Sequence, residues 1–277
     1  MRTHRVIGGG GVTLHVTDQG PEGAPVLLLI HGWSQALGCW QGQVSLAERF
    51  RIVAFDLRGH GDRDKPEEPA AYTDTRLWAE DVAAVIDTLG LDQPILVGWS
   101  YGARVMASFV DIYGADKIAG VVTTAGVLAL GEAREDWMMG EASPGRNPDL
   151  YTDDDSVRAR ASAEFVRACS EEPLDEATTA AFVAFNMQCP AHVRRALFQA
   201  TYDAQPVWKA LEKPLLSIHG VEDSVVQPIC GIEAAEMAPN GDLKLYEDCG
   251  HSPFIEFPDR FNADLEEFAN QTIGAAA

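Results

Sequence analysis

The stretch Ile95-Leu96-Val97-Gly98-Trp99-Ser100-Tyr101-Gly102, running into a helix-forming segment at 103–113, constrains the fold more than any other part of the chain. An aliphatic run, a tight turn bracketed by glycines and then a helix begin a crossover, and crossovers of this kind join parallel strands. So tight a turn strains its central residue. Small neighbours at Gly98 and Gly102 let the Ser100 hydroxyl project above the sheet as a candidate nucleophile. The plain alternative is a serine that caps the helix N-terminus.

Strand and helix signals alternate around this turn. Residues 12–16 alternate apolar and polar after a glycine run at 8–11 and read as an edge strand, whereas 26–30 and 51–55 are short apolar runs that read as buried strands. Residues 77–89 carry apolar positions at helical spacing with Gly90 as the C-terminal stop, and 94–98 and 118–123 are again strand-like. From about residue 126 to 211 the alternation ceases. Segments 156–169, 175–187 and 191–202 there have helical character and are divided by Pro173 and Pro190. Strand-like runs resume at 215–218 and 243–246, and a helix near 260–268 closes the chain. The pattern predicts an α/β fold with a mostly parallel central sheet flanked by helices. Its core is formed by residues 1–126 and 212–277, with an all-helical cap inserted at 127–211.

Charge narrows the partners. Asp and Glu number 42 against 21 Lys and Arg, a net charge of −21 that repels phosphate backbones and anionic membrane surfaces, so neither nucleic acid nor membrane is expected. The five cysteines are scattered and odd in number, without a C-x-x-C pair, and read as reduced thiols of a cytoplasmic protein. The polar start of the chain lacks the apolar stretch of a secretory signal, and no apolar run reaches the roughly 18 residues of a membrane span. No H-E-x-x-H or similar cluster calls for a metal. The glycine run at 8–11 precedes a strand rather than a helix, so no nucleotide cofactor is implied.

A serine hydroxyl needs a base, and the base needs an orienting carboxylate. His251, in Asp248-Cys249-Gly250-His251-Ser252-Pro253, follows a strand and so sits at the same sheet edge as the other strand-end loops. His31 and His60 lie in glycine turns with structural roles, His219 ends a strand and hydrogen-bonds locally, and His4, His15 and His192 have no catalytic context. In His219-Gly220-Val221-Glu222-Asp223 the favoured carboxylate is Asp223, with adjacent Glu222 the alternative. The backbone amides of Trp33, in the turn after residues 26–30, and of Tyr101, just past the serine, are the expected oxyanion donors. Trp137, Met138, Met139, Phe182, Phe185 and Trp208 are candidate walls of the substrate pocket, although such residues at helical spacing also build ordinary cores.

His31-Gly32-Trp33 with Trp40, the loop from Asp56 to Gly61, the serine turn, Asp223 and Gly250-His251 resemble the α/β-hydrolase superfamily from about residue 10 to 270. The His-Gly-Trp start and second tryptophan are similar to bacterial aryl esterases and cofactor-free haloperoxidases (perhydrolases). That resemblance implies hydrolysis of small esters, with peroxide replacing water as a side activity. Ala103-Arg104 and Asp62-Arg63 depart from the pattern at positions away from the proposed chemistry. Serine rather than aspartate at residue 100 argues against dehalogenase or epoxide hydrolase chemistry, which needs a carboxylate nucleophile. The expected partner is a small-molecule ester or lactone, and a homo-oligomer is left open. Lactone or C–C bond hydrolysis, cofactor-free dioxygenation and non-catalytic ligand reception are the alternatives on the same fold.

Overall fold

Short, largely apolar runs build the centre of the sheet because each buries both faces of its strand. The computed structural model describes residues 1–274. The strands are β1 (Arg2–Ile7), β2 (Thr13–Gln19), β3 (Val26–Ile30), β4 (Arg51–Phe55), β5 (Ile95–Trp99), β6 (Gly120–Thr124), β7 (Ala129–Leu130), β8 (Tyr202–Asp203), β9 (Leu215–Gly220) and β10 (Gly241–Tyr246). The helices are α1 (Ala70–Thr73), α2 (Thr75–Leu89), α3 (Tyr101–Tyr113), α4 (Asp155–Ala168), α5 (Glu176–Gln188), α6 (Ala191–Gln199), α7 (Gln205–Ala210), α8 (Ile229–Met237), α9 (Pro253–Glu256) and α10 (Pro258–Gly274).

The main sheet has the order β1-β2-β4-β3-β5-β6-β9-β10. From β4 to β10 all neighbours are parallel, while β1–β2 and β2–β4 are antiparallel. Successive side chains serve opposite faces. Leu28, Ile30, Val53, Phe55 and Leu96 pack with residues of α2 and α3, whereas Leu27, Leu29, Ile52, Ala54 and Val97 pack on the other face with Trp40 and α10. Each buried leucine of β3 contributes on the order of 1.5–3 kcal/mol relative to exposure.

Strand β1 is an addition to the sequence reading, which took residues 12–16 as the edge. Only Val6 of β1 is buried, so the segment has almost no hydrophobic signature. Its charged residues hold it instead. Asp18 on β2 accepts hydrogen bonds from Arg2 Nη2 (2.8 Å) and from Arg51 Nη2 of β4 (3.0 Å), tying three strands together.

Between β6 and β9 the chain is mainly helical rather than all-helical. It also contains the short antiparallel ladder β7–β8 and several one-turn 3-10 helices. Asp154 caps α4 through the amides of Ser156 (2.9 Å) and Val157 (3.1 Å), and Asp175 caps α5 through those of Ala177 and Thr178, both 3.0 Å. Arg194 of α6 is fully buried and holds these pieces together. It donates to the carbonyls of Cys189 and Leu150 and to Ser162 Oγ, and its guanidinium carbon lies 5.3 Å from the Trp33 ring centroid.

Candidate active site

The loops that leave the parallel strands at their C-terminal ends gather at one edge of the sheet, and every residue argued above for the chemistry is on one of them. Ser100 joins β5 to α3 with φ 54° and ψ −112°, a conformation rarely adopted by a non-glycine residue. Its amide donates to the Thr124 carbonyl of β6 at 2.9 Å, which pins the turn to the neighbouring strand. The flanking glycines answer to crowding. A Cβ on Gly102 would lie 2.4 Å from the Ile30 carbonyl oxygen, and one on Gly98 2.6 Å from Met106 Cε.

Asp223 follows β9 and His251 follows β10. Nδ1 of His251 is 2.8 Å from Asp223 Oδ2, and both residues are buried. The other carboxylate oxygen, Oδ1, accepts from the amides of Val225 (2.8 Å) and Val226 (3.0 Å). Burial by itself would raise the pKa of Asp223. The facing charges and hydrogen bonds of His251 and His219 outweigh burial and hold the carboxyl well below its ordinary value. Asp223 is therefore ionised and can only accept, so His251 Nδ1 is the donor and Nε2 is the ring nitrogen not engaged by the acid. Glu222 is exposed, and only its amide is engaged, donating to the Cys249 carbonyl at 2.9 Å.

Three supports of this arrangement escaped the sequence reading. His219 donates from Nε2 to the same Asp223 oxygen at 2.9 Å, so its local hydrogen bonding is directed at the carboxylate itself. Glu256, at the end of α9, accepts from the amides of Gly250 and Ser252 on either side of His251 and from that of Glu171 at 2.8 Å. Trp99 donates from Nε1 to the His251 carbonyl at 2.8 Å. Their signals are weak ones: a histidine four residues before the acid, a carboxylate five residues after the histidine, and a tryptophan as the first variable residue of the serine motif. His31 and His60 accept from the amides of Leu57 (3.0 Å) and Ser34 (3.1 Å) and so brace the loops beside the serine turn.

Ser100, Trp33, Tyr101 and His251 line one cavity. Tyr101 opens α3, so its amide has no helical partner one turn back. The Trp33 amide takes no part in the turn's backbone bond, which runs from Gln35 to Gly32 at 3.3 Å. The Trp33 ring meets Phe165 edge-on at 5.4 Å and Tyr151 at 5.8 Å.

The residues expected from the sequence as pocket walls lie elsewhere. Trp208 is wholly buried in the core, Phe182 packs against Phe185 at 5.9 Å, and Trp137 is 39% exposed. Met138 and Met139 border a smaller neighbouring cavity, and their backbones pair with the acid loop: the Met138 carbonyl accepts from Gln227 at 3.2 Å, and Met139 bridges Val226. The cavity at Ser100 is walled instead by Leu130, Arg134, Tyr151, Leu197, Phe198 and Val226, among others.

Among the described residues no group of three or more His, Cys, Asp or Glu side chains could hold a metal ion, and no helix is long and apolar enough to cross a membrane. All five cysteines are buried and unpaired.

Comparison with known proteins agrees with this fold. The chain is 29% identical to a bifunctional esterase/perhydrolase of Acinetobacter calcoaceticus over 274 residues, 93% of this chain and 96% of that protein. It superposes on the crystal structure of an esterase from Rhodococcus sp. ECU1013 with a TM-score of 0.92 and 31% identity, over 98% of this chain and 99% of that one. A bromoperoxidase from Bacillus anthracis has the same fold, with a TM-score of 0.84 at 22% identity over 96% and 99% of the two chains. A profile of the alpha/beta hydrolase family matches residues 27–264, and with the sheet order and strand-end loops described above the chain belongs to that family.

Proposed function

We propose that the chain is a serine hydrolase of small to medium carboxylic esters. The observation that carries this reading is the convergence of a strained Ser100 and His251 on one cavity, with the ring's far nitrogen bound to buried Asp223. Ser100 Oγ attacks the acyl carbon as His251 Nε2 takes its proton. The amides of Trp33 and Tyr101 hold the oxyanion, and His251 then passes the proton to the departing alkoxide. Water, deprotonated by the same ring, clears the acyl-enzyme.

In this reading residues 127–211 cap the site, on a core made of 1–126 and 212–277. The named activities of the Acinetobacter and Rhodococcus proteins support ester substrates. The perhydrolase activity in the first name favours a second use of the same acyl-enzyme, in which hydrogen peroxide replaces water and leaves as the peracid. The test is a panel of p-nitrophenyl esters of increasing acyl length beside a panel of lactones. Turnover of short esters above the lactones supports the reading. Faster lactone opening, or binding without turnover, contradicts it.

A further inference from the structure

Acidic side chains outnumber basic ones two to one in this chain, 42 to 21, yet no carboxylate lines the Ser100 cavity and Arg134 is the one fixed charge among its lining residues. Position gives that charge a direction. At the inner end Ser100 and His251 are 7% and 1% exposed, while Phe198, over whose ring the Arg134 guanidinium lies at 5.9 Å, is 46% exposed and marks the outer end. Between the ends the wall is apolar, with Val127, Leu130, Leu197 and Val226.

Arg134 has no carboxylate or hydrogen-bonding side chain engaging its guanidinium among the described residues. The acids of its own segment, Glu132, Glu135 and Asp136, are all exposed. Burial is the main cost on the Arg134 cation; Tyr151 and the exposed Asp136 offset part of it, and nearby Arg146, which donates to the Gly140 carbonyl, adds repulsion. A half-buried guanidinium stacked on an aromatic ring and free of side-chain partners is available to an anion carried by the ligand, and its fork of N–H groups matches a carboxylate.

Resting on the hydrolase reading above, we propose that Arg134 recognises a carboxylate carried by the substrate, so that the preferred esters bear an anionic group separated from the scissile bond by an apolar spacer. A neutral ester would fill the same apolar wall and leave the guanidinium unanswered.

The experiment compares two matched pairs with the purified full chain. Monoethyl adipate against ethyl adipamate puts the charge on the acyl side, and 6-acetoxyhexanoate against 6-acetoxyhexanamide puts it on the alcohol side. The expected result is that at least one carboxylate ester exceeds its amide partner in kcat/KM by about tenfold or more, chiefly through KM. Arg134→Gln should bring that ratio close to one, Arg134→Lys should keep part of it, and added salt should compress it. Ratios at or below one in both pairs, or a preference that survives Arg134→Gln, overturn the proposal. Hydrolysis of the amides without a carboxylate preference removes this inference and leaves the hydrolase reading standing. Failure of all four substrates, with no labelling by a fluorophosphonate, removes both.

Discussion

His219 sets its Nε2 2.9 Å from Oδ2 of Asp223, the same oxygen that His251 Nδ1 reaches at 2.8 Å. The Val226 carbonyl is also 3.1 Å from His219 Nε2, so two acceptors face that nitrogen and it carries the proton. Nδ1 of His219 is buried without a partner among the described residues. His219 thus helps position the carboxylate oxygen that His251 also binds. His219→Phe removes one donor to a buried charge and is expected to lower stability by about 1.5–3 kcal/mol, with a fall in kcat larger than any change in KM. Denaturant unfolding and steady-state kinetics on the same preparation check both, and an unchanged kcat contradicts the positioning role.

Asp223 and Glu222 are neighbours with opposite surroundings. Asp223→Asn keeps the shape but favours the wrong imidazole tautomer, with a loss of roughly 10⁴ in turnover, while Glu222→Gln should change little. Because the folded carboxyl of Asp223 is held below its unfolded value of about 3.9, its contribution to stability is present above that pH and is lost as pH falls beneath it. Thermal unfolding of wild type and Asp223→Asn from about pH 5 down to 2 should therefore show the gap between them narrowing on acidification. A gap that widens would contradict the assignment of the depressed carboxyl.

What could be read in the sequence follows from where the signal is local. Strands β3 and β4 fall at the expected residues because continuous aliphatic runs between polar turns have no other way to bury themselves. Ser100 stands out because a strand, two glycines and a helix follow in sequence with no gap. Strand β1 was invisible, since arginine hydrogen bonds to Asp18 rather than apolar burial secure it.

The cavity wall was illegible for a related reason. Helical spacing singles out Trp208 and Phe182, but spacing marks the face that packs inward, and both went into the core. Leu130, Arg134 and Pro144 reach the cavity from a two-residue strand, the residue just after one 3-10 turn and the start of another, which have no periodicity to read. Glu256 clamps the His251 loop from a helix that starts at Pro253, a contact that requires the chain to fold back on itself.

The measurement that bears most directly on the central claim is covalent labelling of Ser100. Wild-type protein treated with a fluorophosphonate should carry one adduct, mapped by peptide mass spectrometry to Ser100, with loss of ester turnover in proportion to labelling. Ser100→Ala should take up none and lose turnover by roughly 10⁶. An adduct on another residue, or a Ser100→Ala variant that is folded and keeps most of its turnover, would contradict the account.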